Sequence, residues 1–328
     1  MTTPAPPEGD LGAVSIGVDI GGTKIAAGVV DADGRILRTA RRPTPRNDAT
    51  AVLSEVASVV DELQSTVDGS IAGVGIGVAG GVDQSRSTVY FAPNLAWSQV
   101  PVRTVVEAST GLPVVVENDG AAAAWAETRF GAGRGRSHVV MVTVGTGIGG
   151  GIVVDGHVMR GAHGVAAEIG HLNAVPDGRS CGCGRNGCWE QYASGNALVR
   201  EARALAAERR PEAGTLLSLG DGTPEGVEGS HITRAAALGD PVAIAAFGIV
   251  GTWLGRGLAD LTAIVDPDAF VIGGGVSEAG DLLLASAQRT LTEKVFGGSN
   301  RPLPELLIAQ LGNDAGIVGA ADLVRYTD

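Results

Sequence analysis

Short apolar runs that end in glycine recur along this chain. Residues 14–20 form one and stop at Gly21-Gly22-Thr23-Lys24. A second apolar run, 25–30, follows at once, then the turn Asp31-Ala32-Asp33-Gly34 and a third short strand over 35–39. Strands on either side of an Asp-Gly signal predict a hairpin. Val52, Val56, Val59, Val60 and Leu63 fall at helical spacing within 49–67. The run 71–78 reads as a strand ending in Ala79-Gly80-Gly81. A helix is predicted over 102–109 and a strand over 114–116, after which Glu117-Asn118-Asp119 opens an alanine-rich helix over 121–130. The order then repeats. A strand over 139–144 leads into the glycine loop 145–150, a strand over 151–154 and the turn Asp155-Gly156. The repeat predicts two related α/β lobes facing each other across a cleft.

The remainder is mixed. Residues 161–192 are loop-rich, Ser194 caps a helix reaching about 209, and 211–229 reads as an exposed connection. Residues 232–261 read as two helices broken near Asp240-Pro241. A strand over 269–272 runs into Gly273-Gly274-Gly275, and 315–324 forms a last helix.

Length and composition narrow the class. At 328 residues two domains are expected, and 44% hydrophobic residues suffice for packed cores. The 51 glycines have no three-residue period, which excludes collagen. With 36 acidic against 24 basic residues and a net charge of −12, the chain lacks the basic face of a duplex binder. The longest uncharged apolar stretches, 139–154 and 241–255, fall short of the roughly 18–20 residues of a membrane span. The Pro-rich, acidic residues 1–10 do not resemble a signal peptide. They read as a flexible tail, and a cytoplasmic location is expected.

Glycine turns at strand ends let backbone N–H groups close on phosphate oxygens. Both 145–150 and 75–80 satisfy G-x-G-x-x-G, but no helix follows either, so the dinucleotide fingerprint fails on context. No Gly-Lys-Ser/Thr occurs, so the P-loop class is absent too. Each glycine turn could equally be a tight hairpin. Gly273–275 differs, because Val276-Ser277-Glu278 can start a helix whose N-terminus suits an anion or a nucleotide.

Cys181, Cys183 and Cys188 are the only cysteines, set in Cys181-Gly182-Cys183-Gly184-Arg185-Asn186-Gly187-Cys188. Three thiols cannot all pair within one chain. With His171 ten residues upstream, one His and three Cys fit a closed, structural tetrahedral Zn2+ site, with free thiols as the alternative. The remaining histidines read as ordinary polar residues.

Together, Asp19-Ile20-Gly21-Gly22-Thr23-Lys24, Glu117-Asn118-Asp119, the loop 145–150, Glu168-Ile169-Gly170-His171 and the cysteine segment through Trp189-Glu190 resemble the ROK family of bacterial sugar kinases and related repressors. The resemblance runs from about residue 14 to the end. The segment 92–97, Ala-Pro-Asn-Leu-Ala-Trp, further resembles the family's glucokinase branch. One departure is visible: Ala166-Ala167 precedes Glu168 where the family commonly has Ala-Gly, and the extra methyl is expected to shift the sugar loop slightly.

The resemblance implies an actin-like (ribonuclease H-like) duplicated fold. The organisation expected is a tail over 1–13, a small lobe over 14–120 on which a C-terminal helix at about 313–328 packs back, and a large lobe over 121–312 carrying the zinc loop. It implies transfer of the γ-phosphoryl group of ATP to the 6-hydroxyl of glucose, in a homodimer or homotetramer. Asp119 is the expected catalytic base, and its place where strand gives way to helix also makes it a candidate N-cap. Gly80, Asn118, Asp119, Glu168, His171 and Glu190 are expected to hold the hexose. Glu168 and Glu190 could also be solvated loop carboxylates. Asp19 would orient Mg2+ through water, and Gly21, Gly22, Thr23, Lys24, Gly145, Thr146 and Gly147 would surround the ATP phosphates. Gly274 and Gly275 would approach the adenosine. An N-acetylhexosamine kinase is the rival enzyme and polyphosphate a weaker rival donor. A sugar-sensing repressor is disfavoured, since about thirteen residues before the first strand are too few for a DNA-binding domain.

Overall fold

The computed structural model describes residues 14–45 and 48–326, apart from the side chain of Ser299. The expected tail over 1–13 and the last two residues of the chain lie outside them. In order the elements are β1 (Val14–Ile20), β2 (Lys24–Val30), β3 (Ile36–Pro43), α1 (Ala49–Gln64), β4 (Ile71–Val78), β5 (Gly81–Val82), β6 (Val89–Ala92), β7 (Trp97–Val100), α2 (Val102–Thr110), β8 (Val114–Asn118), α3 (Asp119–Arg129), β9 (Val139–Val144), β10 (Ile148–Val154) and β11 (His157–Val158). They continue as α4 (Glu190–Ala193), α5 (Gly195–Glu208), α6 (Gly214–Leu219), α7 (Gly229–Ala237), α8 (Pro241–Val265), β12 (Ala269–Gly273), α9 (Asp281–Lys294), β13 (Glu305–Ile308) and α10 (Ala315–Leu323).

Two five-stranded sheets share one topology. The first has the order β3-β2-β1-β4-β8 and the second β11-β10-β9-β12-β13. Numbered within its own half, each sheet runs 3-2-1-4-5. The repeat of strand, glycine turn and strand in the sequence is therefore a repeat of sheet order. A small antiparallel sheet, β5-β6-β7, has no counterpart in the sequence reading. Its strands are two to four residues long, too short for an alternation to register.

The chain divides into two compact units, residues 1–141, 150–167 and 309–328, and residues 142–149 and 168–308. This differs from a boundary near residue 120, because α3 and most of β10 go with the first unit. Gly120 and Gly151 let the two elements touch backbone to backbone: an added Cβ on Gly120 would lie 2.5 Å from the Gly150 carbonyl oxygen.

In the first unit α10 lies directly on the sheet. A Cβ on Gly17 of β1 would stand 1.9 Å from the Ile317 carbonyl oxygen, and one on Gly75 of β4 would stand 1.7 Å from that of Ala320. Real Cβ atoms do not come this close, so these glycines are what permits the helix its seat. On its other side α10 meets α3. The buried Asp322 accepts from Trp125 Nε1 at 2.8 Å and pairs with Arg129 and Arg325 at 3.2 and 3.4 Å. A buried carboxylate shared by three donors is satisfied.

The second unit is built around α8, which packs against α9 and α5. Asp240 caps α8, accepting from the backbone of Val242 and Ala243 at 3.0 Å, so the break at Asp240-Pro241 is a cap followed by proline at the first helical position. The helix runs 25 residues, well past the stretch 241–255, and by length and composition alone it is long and apolar enough to cross a membrane. Its Phe247, Leu254 and Leu258 are fully buried in the second unit, as in a core helix. The connection 211–229 contains α6, whose Leu216 and Leu217 are buried.

Gly75→Ala is expected to lose about 1–3 kcal/mol by overpacking under α10. Gly69→Ala, where the added methyl meets nothing within 4 Å, serves as the control. Urea unfolding of the two variants measures the difference.

Candidate active site and metal centre

In the first unit β1, β4 and β8 are parallel, with Asp19 paired to Gly77 and Gly77 to Glu117. Asp19 and Asn118-Asp119 thus lie at the carboxyl ends of the two parallel strands that flank β4, where open α/β sheets bind ligands. Asn118 ends β8. Its Oδ1 accepts from Ala121 N at 3.0 Å, and its Nδ2 donates to the Gly80 carbonyl at 3.2 Å. Asn118 is therefore the cap of α3, and Asp119 is not. Asp119 stands in the first turn, where its Oδ1 accepts from Gly120 N at 2.8 Å. Gly80 supplies this corner with a carbonyl acceptor and is a packing position as well, since a Cβ on it would lie 2.3 Å from the Phe91 carbonyl oxygen.

Both carboxylates are held above their ordinary range. Desolvation raises the pKa of Asp19 from 3.8 to about 6; the Asp119 charge adds to it and Lys24 opposes it. Desolvation also raises Asp119, against the Gly120 N–H that favours its anion. The Asp19 carboxyl sits against the first turn of α10, where a Cβ on Gly316 would come within 3.2 Å of its Cγ. Beside it, Gly21 N donates to the Lys24 carbonyl at 3.0 Å, the Thr44 hydroxyl donates to Gly21 O at 2.7 Å, and Thr44 N donates to Thr23 O at 3.1 Å. The turn Gly21-Gly22-Thr23-Lys24 is thereby pinned at Gly21 and Thr23, while Thr23 and Lys24 are exposed.

A network that sequence reasoning missed, Glu117 with Arg86 and Arg160, braces this corner. Glu117 is 2% exposed and forms ion pairs with Arg160 Nε at 2.8 Å and Arg86 Nε at 3.1 Å. Its Oε1 accepts from Asn118 N at 2.9 Å. Arg160 also donates to the carbonyls of Gln84 and Asp83, both at 2.9 Å. The network fixes the backbone immediately before Asn118 and Asp119. Its partners are 31 and 43 positions away from Glu117 along the chain, so no local pattern reveals them.

In the second unit, Gly145 N donates to Gly147 O at 3.0 Å, and Gly145 O accepts from Gly195 N, at the start of α5, at 2.7 Å. Thr146 is exposed between them. Gly147 lies beside Glu190: a Cβ there would stand 2.4 Å from Glu190 Oε2. Glu190 Oε2 accepts from Ile148 N at 3.4 Å, and Oε1 accepts from the Cys181 thiol at 2.9 Å. Glu190 is thus not a solvated loop carboxylate. It ties the glycine loop to the cysteine segment. Glu168 accepts His171 N through its carbonyl at 3.1 Å, closing a short 3-10 turn over Ile169–His171. Gly274 has φ 84°, and a Cβ on it would lie 2.6 Å from the Val144 carbonyl oxygen. Gly275 opens a five-residue 3-10 turn rather than an α-helix, and space is open around it.

His171, Cys181, Cys183 and Cys188 place their ligand atoms within 4.8 Å of one another. Cys183 Sγ and Cys188 Sγ are 3.6 Å apart, and Cys181 Sγ is 3.7 Å from His171 Nδ1. Zinc bond lengths in a tetrahedron require edges of about 3.8 Å between sulfurs and about 3.6 Å from sulfur to nitrogen. The four donors therefore fit Zn2+ in number, type and spacing. Gly184 and Gly187, at φ 86° and 80°, turn the loop back on itself.

A family model described as the ROK family matches residues 15–327. The chain belongs to the ROK family. It is 53% identical over 315 residues to the glucokinase of Streptomyces coelicolor, which covers 96% of this chain and 98% of that protein. It is 36% identical over 316 residues to the glucokinase of Thermotoga maritima, covering 94% and 96%. The solved structure of a ROK family glucokinase from Streptomyces griseus in complex with glucose and AMPPNP matches with a TM-score of 0.85 and 52% identity, over 96% of this chain and 100% of that one. The fold is the actin-like α/β fold of ROK sugar kinases.

The departure from the ROK pattern before Glu168 has a backbone meaning. Ala167 has φ 67°, a left-handed conformation that costs an alanine about 1 kcal/mol and a glycine almost nothing. Ala167→Gly is expected to stabilise the protein by up to about 1 kcal/mol, read as a rise in thermal midpoint. Asp19→Asn should give a pH-dependent gain. A carboxylate with a raised folded pKa costs stability as it ionises, so the variant's advantage should be small near pH 3.8 and grow until pH about 6. It should level off above that at up to about 3 kcal/mol. Urea unfolding across this range in metal-free buffer tests it; a constant difference would contradict the burial argument.

Proposed function

We propose that this chain is an ATP-dependent glucokinase, converting glucose to glucose 6-phosphate. The observation that carries the reading is Asp119: a desolvated carboxylate with raised pKa, at the end of a parallel strand and the start of α3, braced from behind by Glu117 and its two arginines. The likeness to glucokinases over nearly the whole chain supports it.

In the first unit Asp119 takes the proton of the sugar 6-hydroxyl as that oxygen bonds to the γ-phosphorus. The bond from the γ-phosphorus to the β,γ-bridging oxygen breaks, and ADP leaves. A raised pKa makes Asp119 a better base than an ordinary aspartate, though orientation matters more in a loose phosphoryl-transfer transition state. Asn118 has its Oδ1 on the helix cap, so it offers the sugar its remaining N–H. Asp19 would hold Mg2+ through water, and the bound ion would neutralise phosphate charge. The pair Asp19 and Asp119 favours such a cation, because each raises the cost of ionising the other. Backbone N–H groups of Gly22 and Thr23, in the turn that Gly21 closes on Lys24, would meet the phosphates together with the Lys24 side chain.

In the second unit Glu168, His171 and Glu190 would read sugar hydroxyls, which both donate and accept. His171 Nδ1 faces the cysteines, leaving Nε2 for a hydroxyl. Bound Zn2+ would brace the segment from His171 to Glu190; with four protein ligands it has no open position for Lewis-acid chemistry. Gly145, Thr146 and Gly147 would serve the phosphates, and Gly274 and Gly275 the adenosine. Three close, unpaired thiols suit a reducing compartment, which favours the cytoplasm. A homodimer or homotetramer is the expected assembly.

A coupled assay with ATP and Mg2+ over glucose, mannose, N-acetylglucosamine and N-acetylmannosamine tests the reading, with glucose expected to give the highest kcat/KM. Asp119→Asn should lose at least ~100-fold in turnover, and near-normal turnover would remove Asp119 from the role. The acid limb of the rate profile should lie above the ordinary carboxylate range. Zinc chelation should raise KM for glucose more than it lowers kcat.

A further inference from the structure

The second unit contains a pocket of about 360 Å3 that none of the residues assigned above lines. Its floor is Trp189, buried at 1% exposure, which lies flat on α8 because residue 257 is glycine; a Cβ there would stand 2.1 Å from the indole. The indole Nε1 donates to the Trp253 carbonyl at 2.8 Å, fixing the ring. Trp253 forms a wall, with the Arg256 guanidinium 4.6 Å from its ring centre. Lys294, in the last turn of α9, supplies a second cation and Asp260 one carboxylate. Among the described residues neither Arg256 nor Lys294 has an ion-pair partner. Asn173 adds an amide at the edge.

In a chain of net charge −12 with two lysines, two unpaired cations converging on one pocket mark a place for an anion. The half-buried Trp253 indole adds flat apolar surface of the kind that packs against the C–H face of a pyranose, while Asp260 and Asn173 can take hydroxyls. The volume lies at the small end of ligand pockets, too small for a dinucleotide.

We propose that this pocket binds a phosphorylated monosaccharide, and that its occupancy acts on the sugar-binding segment. Arg256 and Lys294 take the phosphate and Trp253 carries the sugar face. The transmission follows the covalent chain. Trp189 lies between Cys188 and Glu190, and Leu172, also in the pocket lining, follows His171. A ligand seated against Leu172 and against Trp253, whose carbonyl holds the Trp189 indole, therefore bears on the metal-ligand segment and on Glu190. The effect on turnover rests on the kinase reading above, but the binding does not.

The probes are glucose 6-phosphate, inorganic phosphate and glucose, titrated calorimetrically and by tryptophan fluorescence. The protein carries its zinc and is pre-filled with glucose and AMPPNP, so that any product site is blocked. Glucose 6-phosphate should bind with a stoichiometry near one and change the fluorescence. The double variant Arg256→Ala/Lys294→Ala should bind it at least tenfold more weakly, while its kcat without sugar phosphate stays within about twofold of the parent. In the parent enzyme, glucose 6-phosphate should change kcat as well as KM for glucose, and in the double variant it should act only as a competitor. Absence of binding to the pre-filled protein, or equal affinity in parent and variant, overturns the site. Inorganic phosphate binding as tightly as the sugar phosphate overturns the sugar component. Should the chain prove inactive on glucose, the kinase reading falls by its own assay, and the difference between parent and double variant still decides the pocket.

Discussion

Holding two partly buried carboxylates at the ends of parallel strands is the constraint that organises the first unit. Ionised groups resist desolvation, and Asp19 and Asp119 resist it jointly because each repels the other. Their positions hold only if the backbone beneath them is fixed by something stronger. Register across β1, β4 and β8 supplies part of this, with Asp19, Gly77 and Glu117 side by side. The seating of α10 on Gly17 and Gly75 supplies another part, bringing the first turn of a helix against Asp19. The Glu117 ion pairs supply the rest.

That last network sets a buried carboxylate against two arginines, and such groups seldom add net stability over an apolar replacement. What they add here is position. Arg160 holds Glu117 and the carbonyls of Asp83 and Gln84 together, so the turn after β5 and the end of β8 move as one piece. Asn118 then extends the same piece to Gly80. Asp119 is the next residue, and it inherits a backbone whose polar groups are already committed.

The repeated unit of strand, glycine turn and strand and most helices were legible because each depends on a local period or punctuation mark. Asp240-Pro241 predicts a helix start, and Asp240 caps α8. Ser194 likewise caps α5. The cysteine cluster was legible because its ligands lie within eighteen residues of one another. The three-stranded sheet β5-β6-β7, α9 and β13 were not predicted. Their strands are too short to alternate clearly, and their burial is decided by partners distant in sequence. The same holds at the site. Asp119 could be singled out from its place between strand and helix, yet which residue caps α3 could not, since Asn118 and Asp119 are both good caps. Nothing in the local sequence sets Arg86 and Arg160 apart until the fold brings them to Glu117.

Glycine links these observations. A chain so rich in glycine invites the view that its loops exist to cradle phosphate. Several of the constrained glycines answer a different demand. Gly17 and Gly75 admit a helix, Gly120 and Gly151 let α3 meet β10, Gly147 admits the carboxylate of Glu190, and Gly257 admits the indole of Trp189. In each case the missing side chain makes room for a group that must sit at one place. Ala167 shows the converse, a methyl kept where the backbone turns left-handed directly before Glu168. The chain tolerates that strain because neighbouring bonds over-determine the conformation: Ala166 N donates to the Arg160 carbonyl, and His171 N to that of Glu168. A backbone held from both sides can bear a residue that does not favour it.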